Sequence, residues 1–173
     1  MRRFLLGCVV ALGVSLAVGL APDAGAQLMR QPKTGEPAMV LEVPAGWTAE
    51  YDKNGNLEYY SADFARCIHL GMMVDDKFAA KSLAEIAAAS LKDGGLPPYS
   101  RKHESSIGGR AGEAFFSKVN YSEHVSVSTL LVLVRLSPST VASLARVTRE
   151  GLTAAQEAQI DDAIRRVRFE GIQ

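Results

Sequence analysis

Cysteine is scarce in this sequence: of 173 residues, only Cys8 and Cys67 carry sulfhydryl sulfur. No C-x-x-C or H-x-x-x-H pair occurs, so a zinc site would have to gather Cys67, His69, His103 and His124 from three separate strands. No metal and no cofactor is therefore expected. Charge of one sign is lacking too, since 19 basic side chains face 19 acidic ones. That balance excludes the clustered Lys and Arg excess of a nucleic-acid binder. After the first residues there is no second long apolar run, so no membrane span is expected in the mature chain. An internal repeat is also missing.

What is present begins with a leader. Met1-Arg2-Arg3 is a basic start, Phe4 to Leu20 an apolar run, and Ala24-Gly25-Ala26 fits the small-residue pattern of a signal-peptidase site. Residues 1–26 read as a secretory signal peptide cleaved near Ala26, which predicts a periplasmic or secreted protein starting at Gln27. The rival is an uncleaved anchor, because the run is only slightly short of a span. Cleavage is favoured by the small residues directly behind the run. Leu5-Leu6-Gly7-Cys8 resembles a lipoprotein box, but Cys8 precedes most of the apolar run. Arg2-Arg3 lacks the polar lead of a twin-arginine signal. Loss of the leader leaves Cys67 alone, without an intramolecular disulfide. A chain of this size can stand on its core, since roughly 70% of the unfolded surface is buried on folding.

The mature chain divides into a flexible, proline-containing segment at 27–38 and one α+β domain at 39–170. Its organising element is His124 to Leu136, an alternating start followed by the apolar run Leu130 to Val134. β-Branched residues dominate it and no Gly or Pro interrupts, which predicts a central strand buried on both faces. Before it, strands are expected at Met39 to Val43, from Trp47 to Tyr51, after Asn56, and at Arg66 to Val74. Asn54-Gly55 marks a two-residue type I′ turn. Such a turn pairs Tyr51 with Glu58 and Ala49 with Tyr60, placing Trp47, Tyr51 and Tyr60 on one face. Asp52-x-Asn-x-Asn resembles the start of a calcium loop, but its glycine is misplaced and no helices flank it.

Two helices carry capping boxes, Ser82 with Glu85 and Thr153 with Gln156. Gly94-Gly95 closes the first, whose apolar stripe includes Leu83, Ile86, Ala87 and Leu91. The second buries Ile160, Ala163, Ile164 and Val167. Between the helices lie a hairpin turning at Gly108-Gly109, the central strand, and a strand over about 140–148. Strand runs joined by hairpins, with only two main helices, indicate a central antiparallel sheet packed with helices.

Pro44-Ala45-Gly46-Trp47, the Ser82-Leu83-Ala84-Glu85 helix start, the Ile107-Gly108-Gly109-Arg110-Ala111 hairpin and the closing strand and helix together resemble the PsbP-like superfamily. That group includes the extrinsic photosystem proteins and DcrB-type periplasmic domains, and the likeness covers most of residues 38–170. It implies a PsbP-like sandwich acting as an accessory or binding module, with no shared catalytic set to carry over.

Among residues that can carry chemistry, Trp47, Tyr51 and Tyr60 form a candidate binding face for a small ligand or an envelope protein. The more common use of such aromatics is core packing. Cys67 and His69 point the same way along one strand and make a low-odds reactive pair, because about 7 Å of strand separates them. The blander reading is a buried thiol beside a histidine. Acidic residues fall on turns and helix surfaces, so no acid/base pair is expected. The resulting expectation is a noncatalytic binding or accessory module. The alternatives are an enzyme using Cys67 and His69, with or without metal, and a structural envelope component.

Overall fold

The computed structural model describes residues 28–172 apart from 44, 64, 123, 124, 150 and 151. The expected leader and His124 lie outside the described residues.

Hairpin chemistry sets most of the chain's path. After β1 (Leu28–Gln31) and β2 (Ala38–Glu42), the chain runs antiparallel through β3 (Trp47–Tyr51), β4 (Leu57–Ser61) and β5 (Arg66–Val74). A 3₁₀ turn over Asp76–Ala80 leads to helix α1 (Leu83–Asp93). Then come β6 (Arg101–Ile107), β7 (Arg110–Ser122), β8 (Val125–Arg135) and β9 (Thr140–Arg149), helix α2 (Ala154–Arg165) and the short β10 (Arg168–Glu170). The seven-stranded sheet has the order β3-β4-β5-β9-β8-β7-β6, and a three-stranded sheet has the order β1-β2-β10. Every recorded strand pair is antiparallel. The chain is thus α+β, a large antiparallel sheet with two helices.

Both capping boxes form as expected, with Ser82 and Thr153 each accepting the amide three residues on while Glu85 and Gln156 reach back. Helix α1 ends at Gly94, and Gly95 takes a positive φ of 71°. That conformation lets the Leu96 amide reach the Leu91 carbonyl at 2.9 Å. Between β6 and β7, Gly108 and Gly109 both have positive φ, and Ile107 pairs directly with Arg110. This is the two-residue turn that glycine makes cheap.

Alternation along β8 explains why it reads as apolar. Val132 and Val134 join a core that includes Met39 and Leu41 of β2 and Ile160 and Ala163 of α2. Leu131 and Leu133 face the other way, into a core with Ile86, Ala87 and Leu91 of α1. The large sheet is therefore a middle layer, with α1 on one side and α2 plus the small sheet on the other. Each fully buried Leu or Ile in these layers contributes about 1.5–3 kcal/mol.

Two segments depart from expectation. Residues 28–31, expected to be flexible, form β1 against β2, with Leu28 opposite Glu42 and Gln31 opposite Met39. Arg168–Glu170, with no strand expected, pairs with the other edge of β2. The β10 pairing is non-local and the β1 pairing closes over a short loop, and both strands are only three or four residues long, so no local periodicity announces them.

Candidate functional site

The β3–β4 connection departs from the expected two-residue turn, and the site follows from that departure. Asp52 accepts the amides of Asn54 at 2.7 Å and Asn56 at 2.8 Å on Oδ1. Its Oδ2 takes the side-chain amides of the same residues at 3.3 and 3.0 Å. The Asp52 amide closes the loop on the Asn56 carbonyl at 2.8 Å. Residues 52–56 therefore form one loop, and the last pair before it is Tyr51 with Leu57. Relative to the expected register, β4 has slipped by one residue. Such a slip sends every side chain of the strand to the opposite face.

The slip disassembles the expected aromatic face. Trp47 is buried in the core that α2 shares, with the Arg66 guanidinium 5.3 Å from its ring centre. Tyr51 stays on the same side, half-buried, donating its hydroxyl to the Arg30 carbonyl at 2.6 Å. Tyr59, not Tyr60, joins them in that core. Tyr60 is buried on the other side with Cys67, Val127 and Val147.

Glu58 moves with Tyr60. It pairs with His69 of β5, and Ala145, opposite His69 on β9, belongs to the α1-side core. Glu58 is 4% exposed and His69 2%. Glu58 Oε1 lies 3.8 Å from His69 Nε2, while Glu58 Oε2 accepts the Tyr60 hydroxyl. Asp52 reaches the same place from the loop. One ligand-type atom from each of Asp52, Glu58 and His69 lies within 4.8 Å of the other two. Contrary to the expectation of scattered acids, two carboxylates and an imidazole converge at this end of the sheet.

Their electrostatics follow from burial. Desolvation lowers His69 to about 4, so near neutral pH the imidazole is uncharged and its contact with Glu58 is not an ion pair. Burial raises Glu58, the Asp52 and Glu50 charges push the same way, and the Tyr60 hydroxyl opposes them. At Asp52 burial also works against ionisation, but the hydrogen bonds from Asn56 and Asn54 together hold its carboxyl below the usual range. The Tyr60 phenol is raised, by burial first and then by Glu58. The set thus combines an anion fixed by turn amides, a second buried carboxylate and a neutral nitrogen donor.

Cys67 and His69 share a face, as alternate strand residues must, and both are buried. His103 lies far along the sheet order on the exposed edge strand β6. The zinc set drawn from three strands is therefore not assembled among the described residues. Asp52 and Glu58 carried no signal of their own in the sequence; only the acceptor-rich Asp-x-Asn-x-Asn hinted at a longer loop.

An open concavity of about 600 Å³ lies between the start of α1 and the β8–β9 turn. Its Arg135 guanidinium donates to the carbonyls of Phe78, Pro138 and Lys81 at 3.0, 3.1 and 2.5 Å. That cation braces the turn. No helix among the described residues is long and apolar enough to cross a membrane.

No protein-family model matches the chain, and no curated protein does so by sequence. Solved structures do resemble it. The protein LpqN, described as involved in cell envelope biogenesis of Mycobacterium tuberculosis, superposes with a TM-score of 0.53 at 16% identity, covering 84% of this chain and 92% of its own. The cyanobacterial PsbP of Synechocystis sp. PCC 6803 gives 0.51 at 12% identity, covering 92% and 99%. A Bacteroides thetaiotaomicron structure gives 0.47 at 16% identity, and the chain spans 45% of that protein's length. The fold is PsbP-like.

Proposed function

We propose that the chain is a noncatalytic binding or accessory module of the bacterial envelope, exported to the periplasm or secreted. The observation that carries this reading is the likeness to LpqN, which runs over most of both chains. The basic start, apolar run and Ala24-Gly25-Ala26 site supply the export half of the reading. Its partner is an envelope protein or a small ligand, and the cluster at Asp52, Glu58 and His69 is the place where chemistry of any kind concentrates.

Cell fractionation with intact-mass measurement, followed by native mass spectrometry of the recovered protein, tests the proposal. The expected result is a mature chain starting at Gln27 in the periplasm or medium, carrying the added mass of an organic ligand or a protein partner. Retention in the cytoplasm with residues 1–26 attached would overturn the export half. A substrate turnover that disappears in Cys67→Ser would replace the binding module with the thiol-enzyme alternative.

A further inference from the structure

We propose that Asp52, Glu58 and His69 form a binding site for a single first-row divalent cation, with zinc, manganese and cobalt as the fitting chemistries. This goes beyond the accessory reading and does not depend on it.

Geometry comes first. Two donors bonded to one ion at about 2.0–2.2 Å can be separated by at most about 4.4 Å. The 3.8 Å between Glu58 Oε1 and His69 Nε2 already lies inside that span. It is too long for a hydrogen bond between the same atoms. The full set lies within 4.8 Å, and closing it to the roughly 3.4 Å between neighbouring donors of a tetrahedral shell asks for movements of about an ångström, within reach of side-chain rotation. Donor chemistry comes second. One imidazole nitrogen with two carboxylates suits zinc, manganese or cobalt, whereas an all-oxygen shell would suit calcium or magnesium. Three protein donors leave positions open for water or a ligand.

The surroundings hold the donors in place. Tyr60 takes the second oxygen of Glu58, and the Asn54 and Asn56 amides fix the Asp52 carboxylate. Outer contacts of this kind orient ligating groups. Glu50 pairs with Glu58 across β3 and β4, adding a further carboxylate to the neighbourhood.

The test uses the tag-free, chelator-stripped protein, titrated with zinc by calorimetry and with cobalt by visible absorption. One equivalent should bind, with cobalt bands of a nitrogen and oxygen shell. Asp52→Asn and Glu58→Gln should each weaken zinc binding roughly tenfold or more, and His69→Ala should remove saturable binding. His103→Ala, on the exposed edge, should leave it unchanged. Asp52→Asn keeps an acceptor for the loop amides, so circular dichroism on that variant separates lost binding from lost fold if His69→Ala does not fold. Absence of saturable binding, affinity unmoved by Asp52→Asn and Glu58→Gln, or a thiolate-to-cobalt charge-transfer band would each overturn the site. None of these results bears on export, which fractionation decides.

Discussion

The α1-facing side of the large sheet is built in two ways. Toward the α1 end, Met73, Phe115, Leu131, Leu133 and Val141 meet Ile86, Ala87 and Leu91 in a wholly apolar cluster. Toward the β3 edge, the same face carries Glu58 and Tyr60 of β4 and His69 of β5, nearly as deeply buried. Equal burial has opposite meanings in the two places. Apolar burial is favourable in proportion to area, whereas each buried polar group costs free energy until a partner restores its lost water. One region is explained by stability alone, and the other needs its specific partners.

The comparison breaks most visibly at Phe115, which is fully buried and has the Tyr99 ring 5.1 Å away, edge to face. Phe115→Ala should destabilise the protein by about 3–5 kcal/mol, through lost transfer energy and a cavity. Urea denaturation would read this as a lower midpoint at unchanged slope. A loss below about 1 kcal/mol would mean that α1 does not depend on this cluster.

At the polar end the informative change deletes one atom. Tyr60→Phe keeps the ring and leaves Glu58 Oε2 without its hydroxyl donor. A hydrogen bond to a charged group is worth about 1.5–3 kcal/mol, so the loss should fall in that range, below that of Phe115→Ala. Should Tyr60→Phe prove neutral by the same denaturation assay, the buried Glu58 carboxyl would not depend on the Tyr60 hydroxyl, and the claim that the polar end needs its specific partners would fail.

The contrast also explains what could be read in advance. Both capping boxes, the Gly108-Gly109 turn and the buried strand β8 depend on residues close in sequence, and each formed where its local chemistry predicted. The polar cluster depended on one register. With a two-residue turn at Asn54-Gly55, Glu58 and Tyr60 would lie on the Trp47 side, away from His69. Asp52 instead captures two backbone amides and lengthens the loop, and the slip carries both residues across the sheet. Alternation reveals that neighbouring side chains oppose one another, but not which face each one takes. Strands β1 and β10 carry no local signal for a related reason, since β10 lies far from β2 in sequence and all three strands are too short to impose a pattern.

The smallest expected effect sharpens the comparison by taking a charge that is exposed and local. Glu85 accepts the Ser82 amide at 2.8 Å and its hydroxyl at 2.8 Å. These bonds, the backbone one first, hold its carboxyl below its ordinary value of 4.5. A carboxylate whose folded value is depressed adds stability above the unfolded value, and that stability is lost as pH falls through the folded one. Ser82→Ala should therefore cost about 1 kcal/mol at neutral pH, the usual worth of an N-cap. Glu85→Gln should lower Tm at pH 7, with the gap to the unmodified protein closing once the pH drops well below 4.5. Thermal melts across that range check the sign. A gap that persists in acid would assign the cap's contribution to hydrogen bonding alone. Charge would then matter to this protein only where it is buried, at the Asp52, Glu58 and His69 end of the sheet.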